Sequence, residues 1–223
     1  MLPDTMLLRL LPPTLILLLA CAPGPASARS PRSDQLPLGE LIEIVVLEDE
    51  ILAVDAEGGG TSTIRRLLGE QVLWVGTRGV VGVVLTDERV LAIATRSASW
   101  REAPYERGEM PAQAAELGDR VALVALPQRV LGFVGSAGRF AEVRLGPRED
   151  LLALRVGANV AVVVTEREAY GLSPDAGGFF PIRLQLRERL EDVVARDNLA
   201  TVQTDQRLLV FRAPTGTWAE RRH

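Results

Sequence analysis

An eleven-residue stretch recurs along the chain, and it limits the fold more than any other feature. Its clearest copy is VVLTDERVLAI, Val83 to Ile93. Variants return as LVALPQRVLGF (Leu123 to Phe133), VVVTEREAYGL (Val162 to Leu172) and TVQTDQRLLVF (Thr201 to Phe211). A weaker copy, VVLEDEILAV, runs from Val45 to Val54 and is one residue shorter. Aligned on Thr86, the same position is filled by Leu126, Thr165 and Thr204, at spacings of 40, 39 and 39, with Glu48 standing 38 residues earlier. Three residues on come Arg89, Arg129, Glu168 and Arg207; twelve on, Ala98, Gly138, Gly177 and Gly216. Fourteen on come Trp100, Phe140, Phe179 and Trp218; sixteen on, Glu102, Glu142, Pro181 and Glu220. Agreement at several offsets, one of them a rare aromatic, marks a duplicated unit of about 40 residues. The first copy has Thr61 where the others carry the aromatic, so it is the degenerate one.

Each unit divides into four short strands. In the fourth unit they are Leu151 to Val156, Val160 to Thr165, Ala169 to Leu172 and Phe179 to Leu186. Valine, leucine and phenylalanine fill them, and turn-formers such as Gly157-Ala158-Asn159 and Pro174 to Gly178 separate them. The second strand is apolar on both faces, as in Val81 to Leu85, whereas a sheet with one wet face alternates. Both sides of each small sheet therefore need cover, and the simplest cover is the same sheet in the next unit.

A unit of this length, with four strands and mutual stacking, resembles a β-propeller blade of the WD-repeat and NHL type in its period. The resemblance covers Leu36 to His223 and lies in architecture: the Gly-His and Trp-Asp marks of WD repeats are missing, and Trp100-Arg101-Glu102 is a distant analogue. It implies an all-β chain of five four-stranded blades closing a ring, with Leu36 to Glu40 supplying a poor first strand. A tandem β-solenoid is the alternative, and a ring completed only by an oligomer is another.

Two surfaces are candidates for partner binding. The turns between second and third strands hold Asp87, Arg89, Arg129, Asp205 and Arg207. The plain reading is a hairpin capped by aspartate, with arginine paired to a neighbour. The functional one is a ring of charge on one face, where arginine meets a partner's carboxylates. The longest connection, Tyr105 to Glu116, adds Tyr105, Glu106 and Arg107. Arg187 to Asp192 reads as a solvated turn. The recurring aromatic is expected to fill the gap between blades, with a carbohydrate-stacking platform as the alternative. Asp119 and Asp197, in turns between first and second strands, are turn-formers first and a catalytic pair second.

Composition narrows the chemistry. All 25 basic residues are arginine, the single histidine is His223 and the single cysteine is Cys21. A Schiff-base or P-loop lysine, a Cys/His metal site and an internal disulfide are thereby excluded. No cofactor or metal is expected. The net charge of −4 makes no case for nucleic acid. Carboxylate chemistry, glycoside cleavage included, stays open.

The leader has Arg9 followed by an apolar run, Leu10 to Leu19, too short for the roughly 20 residues of a spanning helix. It reads as a secretory signal. Leu18-Leu19-Ala20-Cys21 resembles the lipobox of bacterial lipoproteins, which implies lipidation of Cys21 and, with Ala22 next, the outer membrane. A plain cut after Ala26-Ser27-Ala28 is the alternative. The expected layout is therefore a signal over 1–21, a disordered tether over 22–36 and a monomeric repeat domain over 37–223. The function expected is that of an exported, lipid-anchored, non-enzymatic scaffold binding a protein or polysaccharide of the cell envelope. A carbohydrate-binding or glycoside-cleaving propeller is the other reading.

Overall fold

The computed structural model describes residues 39–222 apart from 57, 96 and 98. The signal, Cys21 and the tether lie outside the described residues. Among those residues there are nineteen strands, in five antiparallel sheets, and no helix. The first sheet holds β1 (Ile42–Val46), β2 (Glu50–Asp55) and β3 (Thr61–Arg65). The second holds β4 (Val72–Arg78), β5 (Val81–Thr86), β6 (Arg89–Ala94) and β7 (Arg101–Pro104). The third holds β8 (Glu116–Leu117), β9 (Val121–Leu126), β10 (Arg129–Val134) and β11 (Arg139–Arg144). The fourth holds β12 (Leu151–Val156), β13 (Ala161–Thr165), β14 (Glu168–Ser173) and β15 (Gly178–Arg183). The fifth holds β16 (Leu190–Arg196), β17 (Leu199–Thr204), β18 (Arg207–Arg212) and β19 (Thr217–Arg222). Strands follow one another across every sheet in chain order, as the repeat predicts.

Among the described residues the first sheet has three strands; of Leu36 to Glu40, expected to supply a poor first strand, only residues 39 and 40 are described. The turn of that sheet needs no deletion, which corrects the expected alignment: Val46 lies opposite Ile51 as Leu85 lies opposite Val90, so Leu47, not Glu48, occupies the place of Thr86. Glu50 then opens β2 where Arg89 opens β6.

The doubly apolar strands are covered on both faces. In β5, Val81, Val83 and Leu85 pack with Ala122, Val124 and Leu126 of the third sheet, while Val84 packs with Ile51 of the first. Val121 and Leu123 meet Ala161 and Val163, and Val162 and Val164 meet Val193 and Ala200. The recurring aromatics take equivalent places, each reaching back to the preceding sheet. The indole N–H of Trp100 donates to the Ser62 carbonyl at 3.1 Å, and that of Trp218 to the Phe180 carbonyl at 2.8 Å. Phe179 lies over Gly132, where a Cβ would come within 2.7 Å of its ring. These rings are partly buried and pack against the core clusters between sheets, as gap-fillers do.

Neighbouring sheets are also joined through backbone. In the turns between first and second strands, Leu41 N–H donates to Gly79, Val80 to Asp119, Arg120 to Ala158 and Asn159 to Asp197, at 2.7–3.1 Å. The approach is so close that a Cβ on Gly79, whose φ is +53°, would lie 2.4 Å from the Asp119 carbonyl oxygen.

The stack has two ends. Among the described residues, no strand pairing and no apolar cluster joins the first sheet to the fifth. Burial alternates in β2 and β17, whereas β5, β10 and β13 are buried throughout. Where the second sheet has Val83, Leu85 and Ala94 facing its successor, the fifth has Thr201, Gln203 and Arg212. The outward place of Trp100 is Thr61 in the first sheet. Polar outer faces are what a repeat array needs at its ends. The strand pairing and apolar clusters of the described residues thus give no link that would close the five sheets into a ring.

Candidate functional site

The turns between second and third strands lie beside the loops that enter each sheet, and buried charge ties the two together. Arg89 is the clearest case. Its Nε and Nη2 meet the two carboxylate oxygens of Glu70 at 2.9 Å each, Nη1 meets Glu102 at 2.5 Å, and Nη2 also donates to the Arg65 carbonyl of the preceding sheet at 2.8 Å. Arg129 does the same with Glu109 (3.2 and 2.8 Å), Glu142 (3.0 Å) and the Pro104 carbonyl (2.9 Å). Arg207 repeats it with Glu188 (2.9 and 3.1 Å), Glu220 and the Arg183 carbonyl (2.6 Å). Planar guanidinium matches a carboxylate in this two-pronged way, and lysine could not.

The loop glutamates are themselves pinned. Glu70, Glu109, Glu149 and Glu188 each accept a hydrogen bond from the amide three residues earlier, at Leu67, Glu106, Gly146 and Gln185. The hydroxyls of Thr86 and Thr204 donate to Glu70 and Glu188 at 2.8 and 2.7 Å. Burial pushes the Glu70 and Glu188 carboxyls up, but bonds from arginine, amide and threonine outweigh it and hold both below the ordinary carboxylate value. Glu70 raises the Arg89 guanidinium in return.

This geometry sorts the candidate residues. The side chains of Arg89, Arg129 and Arg207 are only 6–8 % exposed, so they hold the loops and do not face a partner. Their pairing with neighbours is the plain reading of the turns. Asp87 and Asp205 accept the amides of Gln71 and Arg189, which ties the turn to its loop. Tyr105 packs against the core between second and third sheets, and burial pushes its phenol up. Glu106 pairs with Arg144 at 2.6 Å, and Arg107 is exposed. Arg187, Arg189, Glu191 and Asp192 are exposed, as a solvated turn requires, and only the Glu188 side chain turns inward. Asp119 is bound by Arg78 at 3.0 Å and lies two sheets from Asp197, so the two do not form a catalytic pair.

Beside exposed charged residues such as Arg107, Arg148 and Arg187, the loops also expose large apolar side chains. Leu68 and Leu186 stand two residues before Glu70 and Glu188, at equivalent tips; Leu68 is fully exposed and Leu186 90 % exposed. Met110 is 71 % exposed beside Glu109. An open groove of about 900 Å³ runs between Leu47 to Glu50 and Arg65 to Gln71 on the same face. Glu109 and Met110 fall within the candidate loop Tyr105 to Glu116, but Glu70, Glu149, Glu188, Leu68 and Leu186 did not figure among the candidates, although the glutamates recur every 39–40 residues and sit sixteen or seventeen before the turn.

The fourth sheet departs from this scheme. Glu168 replaces the arginine and Pro181 replaces the second glutamate. The Glu168 carboxylate accepts from the Tyr170 hydroxyl at 2.6 Å and lies 3.5 Å from Arg183, which is almost wholly exposed. Burial first, then this bond, pushes the Tyr170 phenol well above its ordinary value.

No family model matches the chain, and no curated protein does. Among solved structures, it is similar to apo AztD from Citrobacter koseri at 14% identity and a TM-score of 0.39, over 81% of this chain and 59% of that one. It is similar to Prp20p from Saccharomyces cerevisiae at 11% identity and a TM-score of 0.41, over 78% and 56%. A HIRA fragment matches at 12% and 0.38, over 83% and 56%. The three are propeller proteins, and the chain spans little more than half the length of each. At this distance nothing of their activity or partners transfers.

Proposed function

We propose that the chain is a non-enzymatic scaffold that binds a protein through its loop face. The observation that carries this reading is the row of exposed apolar tips, Leu68, Met110 and Leu186, on loops held by buried ion pairs. Exposed apolar side chains on rigid loops lower the ordering cost of association and suit a macromolecular partner. The leader supports export, with a lipid on Cys21 anchoring the repeat domain at the envelope.

Capture of partners by the full chain from its own envelope is the test. One or more proteins are expected, and Leu68→Asp combined with Leu186→Asp loses them while the melting temperature is kept. Retention on a glycan array with no protein captured ends this reading. Anchoring is tested separately: Cys21→Ser loses acyl label and membrane fractionation, or the anchor is wrong.

A further inference from the structure

We propose that the turn pocket of the fourth sheet receives an arginine side chain from the partner, an inference that rests on the scaffold reading above. The same pocket occurs four times among the described residues, and in three of them a guanidinium sits on the loop glutamate. Glu70, Glu109 and Glu188 each hold one through both carboxylate oxygens at 2.8–3.2 Å. The fourth keeps the acceptor and lacks the donor. Glu149 is pinned by the Gly146 amide at 3.0 Å, as its sisters are by theirs, but no arginine reaches it among the described residues.

The rest of the pocket fits an external cation better than an internal one. Exchange of arginine for Glu168 adds a second carboxylate, and exchange of glutamate for Pro181 takes away the one that pairs Nη1 elsewhere. The carbonyl that receives Nη2 in the sister pockets belongs to the last residue of the preceding sheet, which is Arg144 here. Thr165 bonds the Glu168 carbonyl at 3.1 Å, whereas Thr86 and Thr204 also reach the loop glutamate. Glu149 is partly buried and stands between the exposed Arg148 and Asp150, so a ligand can approach from the loop side. A metal ion suits the place less, since no group of three or more His, Cys, Asp or Glu residues able to hold one occurs among the described residues. Planar guanidinium, with two parallel donors, matches what the sister pockets already bind.

The probe is Nα-acetyl-arginine amide, titrated into the full chain and followed by amide chemical shifts. Shifts are expected at Gly146, Arg167 and Glu168, with the lysine analogue and Mg²⁺ at least fivefold weaker. Glu149→Gln weakens the response tenfold or more. The pair Glu168→Arg with Pro181→Glu rebuilds the internal clamp, abolishes the response and raises the melting temperature. Absence of shifts in the wild type, equal shifts from Mg²⁺, or an unchanged response in Glu149→Gln overturns the proposal; should the double variant not fold, Glu149→Gln decides. Binding of the probe without any captured protein sinks the scaffold reading and leaves the pocket. A captured protein indifferent to Glu149→Gln does the reverse.

Discussion

Arg89, Arg129 and Arg207 carry the largest local charge in the interior, each against one wholly or nearly buried glutamate. Loss of one partner of such a pair strands the other in a poor solvent. Arg207→Ala is therefore expected to destabilise the fold by about 3–5 kcal/mol, read as a fall in urea midpoint. The effect of acid follows from the same residues. Glu70 and Glu188 ionise below the ordinary value of 4.5 in the fold. Their contribution is complete above that value and is lost as pH falls through their depressed folded values. Stability is expected to hold down to the ordinary carboxylate value and to drop below it, with Glu70→Gln flattening the drop. Tyr170 works in the opposite direction: its raised phenol contributes below the ordinary tyrosine value and ceases to contribute as pH climbs through the folded one. The turn arginines were legible as charge, but not as buried charge. Their partners lie thirteen residues after them and nineteen or twenty before, outside the window of any single turn.

Within each sheet, the legible part was the strand pattern and the illegible part was its edge. The strands expected at Leu151 to Val156 and near Val160 to Thr165 are β12 and β13 almost residue for residue, because both are apolar and both end in Gly or turn chemistry. The first sheet went wrong at Leu47, where an aliphatic stands in a turn position that threonine holds elsewhere, and similarity of acidic residues pulled the alignment one place along. Glycine in a strand marks a different constraint. A Cβ on Gly171 would lie 2.3 Å from the Phe211 ring of the following sheet. Gly171→Ala is expected to cost about 1–3 kcal/mol through forced separation of the fourth and fifth sheets, and paired with Phe211→Leu it recovers part of that loss. Thermal melts of the two single variants and the double measure it.

Over the whole molecule, stability is a chain of neighbour contacts. The cluster between the fourth and fifth sheets is larger than those between the first and second, and it includes Val160, Val162, Val164 and Phe211. Removal of the last sheet at Gln185 is expected to expose it and cause dye binding and aggregation. Removal of residues up to Arg65 bares only the smaller clusters around Val84, Leu91 and Ile93, and should do so less. Light scattering of the two truncations separates these outcomes. Period and mutual cover of the sheets could be read from Val81 to Leu85 and its copies; ring closure could not. It turns on a few outer positions of the first and last copies, Thr61 at one end and Thr201, Gln203 and Arg212 at the other.

The amide-to-carbonyl links that run from Leu41 through Gly79, Asp119 and Ala158 to Asp197 are zipper teeth between successive units. Pulled by its two termini, such a molecule should unravel from one extremity, one tooth at a time. Each rupture would release about 39 residues, roughly 130 Å of slack. A force trace of evenly spaced sawteeth, as opposed to one collapse, is the mechanical signature of that arrangement.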